Sequence, residues 1–253
     1  MSRSSGEWLE LASPRGGTIK VLKAAHPRAR RLRLTVTPRG ARLSYPHGMH
    51  PAQVFAFLRQ HADWLADKLK EMNVSSKAPP ALKPGVPTLM PLHGASVRLT
   101  WAEAEHPAIH LLGDELRLSL PRPWSRALPL ARNLLHGFLE GQVRRDLNRW
   151  MGWYVPELGR APTDLRIRPM KSLWGSLDGR DRVTLDLALA LAPRAALHYV
   201  FVHELCHLRV RDHSPRFWHR VESLMPNYQT QRDWLRLNGS MVKAEMERLL
   251  ADR

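Results

Sequence analysis

The chain has one cysteine, Cys206, among 253 residues, so no internal disulfide can form and neither an oxidising compartment nor a bridge-stapled fold is implied. No stretch reaches the roughly 18 consecutive apolar residues of a membrane-spanning helix, and the start, Met1 to Glu7, has no apolar core of a secretory signal. These absences lead to the expectation of a cytoplasmic protein with no membrane partner. A Gly-x-x-x-x-Gly-Lys-Ser/Thr phosphate loop is missing as well, which counts against nucleotide chemistry of the P-loop kind. Acidic side chains are scarce. Twenty-three Asp and Glu stand against 39 Lys and Arg, a net charge of +16. The imbalance is concentrated at the front, where residues 1–50 hold ten basic and two acidic side chains. Such an excess suits phosphate-bearing or acidic partners, and it equally suits a plain solvated basic face.

What is present reads as α+β. Residues 18–46 carry short alternating runs, Ile19 and Val21, then Leu32, Leu34 and Val36, then Ala41, Leu43 and Tyr45, which predict a β meander. Residues 51–72, opened by Pro51, space Val54, Phe57, Leu58, Trp64, Leu65 and Leu69 as one amphipathic helix. The Pro- and Lys-rich stretch 73–91, with Pro79-Pro80, is the best linker candidate. This divides the chain into a basic β-rich module, 1–78, and a larger module, 79–253, which could also pack as one unit. In the second, strands are expected at 96–101, 108–112, 115–120, 164–170, 172–176 and 183–187. Helices are expected at 128–158, 194–211, 215–225, 228–238 and 240–251, the last two split by Asn238-Gly239.

The helix behind Pro193 is densely apolar, with Leu197, Tyr199, Val200, Phe201, Val202, Leu205 and Leu208, and it also contains His203-Glu204-Leu205-Cys206-His207. Histidines at i and i+4 project from one helix face about one turn apart, so both imidazoles can reach a single zinc ion. The intervening Glu204 is placed to take a proton from a water on that ion. Burying two imidazoles and a carboxylate among aliphatic side chains is unfavourable unless they are paired or hold a metal. Zinc needs a third ligand, and Asp212, His213, His219 and Glu222 are the candidates downstream. His213 is the best placed, because the chain must turn there before Ser214-Pro215 opens the next helix. Asp212 suits a turn carboxylate, Glu222 an orienting group or a salt-bridge partner, and His219 the surface. Cys206 sits about 100° around the helix from His207 and reads as a buried thiol.

Over nearly its whole length the chain resembles the YgjP/SprT-like zinc metallopeptidases. The resemblance rests on Lys171-Ser172-Leu173-Trp174-Gly175-Ser176, Val183-Thr184-Leu185-Asp186, Ala192-Pro193, His203 to His207, and His213-Ser214-Pro215-Arg216-Phe217-Trp218, in that order. It implies a zincin-like catalytic module with a small antiparallel sheet and an active-site helix, preceded by the β-rich amino-terminal module. It also implies His203, His207 and His213 as zinc ligands and Glu204 as catalytic base. Two positions depart from the family pattern, Leu173 where an Arg is usual and Leu177 where a Cys is usual.

The expected function is zinc-dependent hydrolysis of peptide bonds by a metal-activated water, with a peptide or protein as substrate. Two other readings stay open. One is metal-dependent hydrolysis of a nucleotide phosphoanhydride, and the other is a nucleic-acid-associated protein with a structural zinc. For both, the Arg28, Arg30, Arg31 and Arg33 cluster is a candidate phosphate-binding stripe, although a charged edge strand explains it as well. The strand 183–187 could pair with a substrate backbone or be an ordinary core strand. Lys171, Arg182 and Tyr228 are candidate donors to a developing oxyanion. The nine tryptophans mostly fall on amphipathic faces and suit core packing, with Trp174 the exception.

Overall fold

The computed structural model describes residues 7–12, 18–25, 29, 31–37, 40–75 and 82–250. The chain divides into two compact units, residues 1–80 and 81–253. None of the described helices is long and apolar enough to cross a membrane.

In the first unit, β1 (Glu7–Ala12), β2 (Thr18–Ala25), β3 (Arg33–Thr37) and β4 (Gly40–Tyr45) form one sheet in the order β1-β2-β4-β3. It is not the expected meander. β2 lies parallel to β4, with Val21 opposite Ala41 and Lys23 opposite Leu43, and β1 adds an antiparallel edge that the sequence reading missed. The alternation is still what selects the buried face. Ile19, Val21, Ala41 and Leu43 point one way and pack on Val54 and Leu58 of α1 (Pro51–Gln60) and Leu65 of α2 (Ala62–Ser75). The single helix expected over 51–72 is interrupted at His61. Its ring donates from Nδ1 to the Phe57 carbonyl at 2.9 Å, competing for the acceptor that an unbroken helix would use, and its backbone sits at φ −106°, ψ 13°. Of the proposed arginine stripe, Arg31 and Arg33 are exposed, while Arg28 and Arg30 lie outside the described residues, as does Pro79-Pro80.

The second unit is α+β. Its four-stranded sheet runs β5-β6-β8-β7, from β5 (Thr88–Leu92), β6 (Ala95–Glu103), β7 (Ala108–Leu112) and β8 (Glu115–Leu120). β5 falls at the end of the stretch 73–91, which its Pro- and Lys-rich composition marked as linker. As an edge strand β5 tolerates a residue without an N–H. Helix α3 (Leu128–Leu158) buries Ala131, Leu135, Leu139, Val143, Leu147 and Trp150, a stripe at spacings of four and three that faces the common core.

A second sheet runs β10-β11-β9, from β9 (Asp164–Arg168), β10 (Gly175–Leu177) and β11 (Arg182–Asp186). It is mixed, β10 antiparallel and β9 parallel to β11. The 183–187 segment considered for substrate pairing is thus the middle strand, with both edges already bonded, and the outer edges belong to β10 and β9. Helices α4 (Arg194–Cys206), α5 (Pro215–Leu224) and α6 (Tyr228–Leu250) complete the unit. Two differences from expectation matter for the site. Helix α4 ends at Cys206, not near 211, with Leu208, Arg209 and Val210 turning back on the carbonyls of Leu205 and Cys206. Helix α6 runs unbroken through Asn238-Gly239. Gly239 lies against Trp174, where a Cβ would stand 2.7 Å from Cζ2, so this glycine answers a close approach and not a turn.

Candidate metal centre

The end of α4 presents His203 and His207, and the loop from Leu208 to Ser214 brings His213 back to them. One ring nitrogen from each can be chosen so that all three lie within 4.8 Å of one another. The Nε2 atoms of His203 and His213 are 3.0 Å apart. Phe217, fully buried on the first turn of α5, floors the cluster, its ring centroid 4.8, 4.4 and 4.9 Å from those of His203, His207 and His213. This packing explains why a Phe follows the Ser-Pro helix start, since α5 must seat a flat apolar ring beneath three imidazoles.

Electrostatics favours the neutral, lone-pair-bearing form of His203 and His207. Burial, helped by the neighbouring His207 and His213, pulls His203 down to about 3, and burial also lowers His207. His207 donates from Nδ1 to the Val210 carbonyl at 2.9 Å, which fixes the tautomer and leaves Nε2 with a free lone pair. Three imidazoles with converging nitrogens suit a divalent transition metal ion. Asp212 is turned away, its carboxylate accepting the Ser214 N–H at 3.1 Å. His219 and Glu222 are exposed on α5 and stand outside the histidine cluster, and Cys206 is fully buried, its thiol pushed up to about 12 by burial.

Glu204 lies beside the histidines and is buried. Burial pushes its carboxyl up to about 8, opposed by a hydrogen bond from the Leu177 backbone N–H. A carboxyl in this setting holds a proton firmly once it has taken one. Strand β10 runs directly past it. A Cβ on Gly175 would stand 2.6 Å from Glu204 Oε1, so the Trp-Gly pair is dictated by the glutamate's position.

These residues line a cleft of about 630 Å³ whose walls include Leu173, Trp174, Leu177, Tyr199, Val200 and Leu235. Both positions that depart from the family pattern, Leu173 and Leu177, are on this wall. Of the oxyanion candidates, Lys171 is exposed, Arg182 pairs with Asp178 at 2.7 Å, and Tyr228 is buried in a stack with Trp218 and Tyr199.

Residues that sequence reasoning missed hold the wall in place. Lys243 on α6 donates to the carbonyls of Met170 and Leu173 at 2.8 and 2.9 Å, pairs with Asp186, and sits 4.5 Å above the Trp174 ring. Asp186, almost fully buried, also accepts the N–H groups of Met170 and Ala188. No local pattern marks Lys243, because its partners lie 57 to 73 residues upstream.

An α+β unit carrying a helix-borne histidine pair, a returning third histidine and a buried glutamate has the makings of a metallohydrolase. Residues 30–238 match the family described as YgjP-like, metallopeptidase domain, and the chain belongs to that family. It is a hydrolase, a metal-dependent peptidase acting on peptide or protein substrates. Two solved structures are similar over part of the chain. One is the metallopeptidase zymogen abylysin of Pyrococcus abyssi, at 27% identity, covering 37% of this chain and 90% of that one, with a TM-score of 0.32. The other is the metallopeptidase zymogen jannalysin of Methanocaldococcus jannaschii, at 17% identity, covering 39% and 96%, with a TM-score of 0.32. A search of curated proteins returned no match.

Proposed function

We propose that the chain is a zinc-dependent metallopeptidase in which His203, His207 and His213 hold the ion and Glu204 is the general base. The observation that carries this reading is the convergence of three imidazole nitrogens within 4.8 Å beside a buried carboxyl on the same helix. When bound, the ion supplies Lewis acidity to a water and to the scissile carbonyl. The chain's own groups do the rest. Glu204 takes the proton of the attacking water at a carboxylate oxygen and returns it to the leaving amine, and the Leu177 N–H keeps that carboxylate in place. Val210 holds His207 with its Nε2 turned outward. A substrate in extended form lies along the free edge of β10, where main-chain pairing positions it across the cleft.

The test is metal content and peptide hydrolysis on the same preparations. About one zinc per chain is expected, lost in His203→Ala, and Glu204→Gln is expected to keep the metal while losing hydrolysis. Full zinc retention in His203→Ala removes the ligand assignment, and an unchanged rate in Glu204→Gln removes the base.

A further inference from the structure

Basic side chains outnumber acidic ones in the cleft lining. Arg211, Arg232 and Arg236 line it, and Glu204 is the one carboxylate among its lining residues. Glu204 is buried and already bonded to the Leu177 N–H, so it does not balance the arginines at the rim.

The three guanidinium groups are not equivalent. Arg211 is committed, pairing with Asp181 and donating to the Asp178 carbonyl at 2.9 Å. Arg236 reaches Asp233 at 3.2 Å, but with side chains 72% and 60% exposed such a pair is weak and readily exchanged. Arg232 has no carboxylate or carbonyl partner among the described residues. Its guanidinium is held 4.5 Å over the Trp218 ring, and that ring lies 5.7 and 5.8 Å from those of His203 and His213. An arginine fixed by an indole keeps its hydrogen-bonding edge for an incoming anion. Arg232 and Arg236 are four residues apart on α6, so they share a face, with Leu235 adding an apolar contact beside them.

We propose that Arg232, assisted by Arg236, selects substrates with an aspartate or glutamate side chain flanking the scissile bond. This rests on the metallopeptidase reading and names its substrate class. A carboxylate matches the planar guanidinium fork with two parallel hydrogen bonds. The apolar walls from Trp174, Leu177 and Val200 favour a peptide over a phosphate chain, which has no apolar group to place there. The net charge of +16 attracts anions to the whole molecule, so the local claim is tested against a remote arginine.

The experiment uses the full-length, zinc-loaded chain and a mixed peptide library, with cleaved bonds identified by mass spectrometry, then matched peptides with Asp, Asn or Lys at the flanking position. For wild type, kcat/KM is expected to favour Asp over Asn by about tenfold, weakening with salt. In Arg232→Gln the ratio is expected to fall below about twofold, whereas Arg117→Gln, on β8 outside the cleft, removes the same charge and leaves it unchanged. Arg232→Glu is expected to turn the preference towards Lys, a gain that misfolding cannot produce. Peptide hydrolysis with an Asp-to-Asn ratio near one, or a ratio that survives in Arg232→Gln, overturns the selectivity and leaves the peptidase reading standing. Glu204-dependent hydrolysis of nucleoside triphosphates with no peptide cleaved overturns both.

Discussion

Gly175 and Glu204 share one space: where a Cβ would stand on Gly175, Glu204 Oε1 is 2.6 Å away and its Cγ is 2.7 Å away. A methyl group there collides with the Glu204 carboxyl, which is buried and cannot swing into solvent. Gly175→Ala is therefore expected to move the carboxylate by several tenths of an ångström or more and to lower kcat by about 10²-fold, the typical effect of a misplacement of about 1 Å. KM should change much less. Kinetics alongside a thermal melt check this, and an alanine variant with wild-type kcat shows that the contact does not position Glu204.

The anchoring of the cleft wall makes a stability prediction. Lys243 pairs with Asp186, and Asp186 is almost fully buried. Lys243→Met leaves that carboxylate without its charge partner and frees the carbonyls of Met170 and Leu173, so a loss of about 3 kcal/mol is expected from denaturant titration. Adding Asp186→Asn to Lys243→Met should recover part of the loss, because the uncompensated charge is then gone. Additive losses in the double variant refute the pairing as the source.

These two relationships show where sequence reading succeeds and where it stops. The His203, Glu204 and His207 set is legible because it is local: helix periodicity alone puts the two imidazoles on one face. His213 is legible because Ser214-Pro215 marks a helix start and so a turn before it. The α+β class follows from alternation in Ile19 to Leu43 and from the four-residue spacing in α3. The parallel pairing of β2 with β4 is a non-local choice that alternation does not encode. Gly239 reads as a break by propensity, yet α6 continues through it, because the missing side chain is needed by Trp174, 65 positions earlier. Lys243 meets its partners only once α6 is packed, so no window of residues could have marked it.

A pH dependence follows from His198. Its ring is stacked on Trp150 at 4.3 Å and lies 2.7 Å from the Tyr154 hydroxyl, and burial lowers its pKa, with Asp146 opposing. His93 is lowered by burial and by Arg194 in the same way. A histidine with a folded-state pKa below its unfolded value of about 6.5 is neutral in both states above that pH and contributes no slope there. As pH falls through about 6.5 the unfolded chain binds the proton first, so stability is lost progressively down to the folded pKa. Denaturant midpoints at pH 8 and pH 5 should show this loss, and His198→Gln should reduce it. A midpoint that rises on acidification contradicts the sign.

Metal binding is expected to appear as stability. The three histidines converge only in the folded chain, since His213 is brought back by the turn after Cys206 and held over Phe217. A ligand bound by the folded state alone adds RT ln(1 + [L]/Kd), about 2.7 kcal/mol at a free concentration 100 times Kd. Zinc added to chelator-treated protein should therefore raise the melting temperature, and the increment should shrink as pH falls and imidazoles bind protons in the ion's place. His213→Ala removes one of three donors and should lose most of the increment. Phe217→Leu keeps all three donors but removes the flat floor, so its increment should be smaller than wild type and larger than in His213→Ala. Equal zinc-induced shifts in wild type and His213→Ala place the ion elsewhere on the chain.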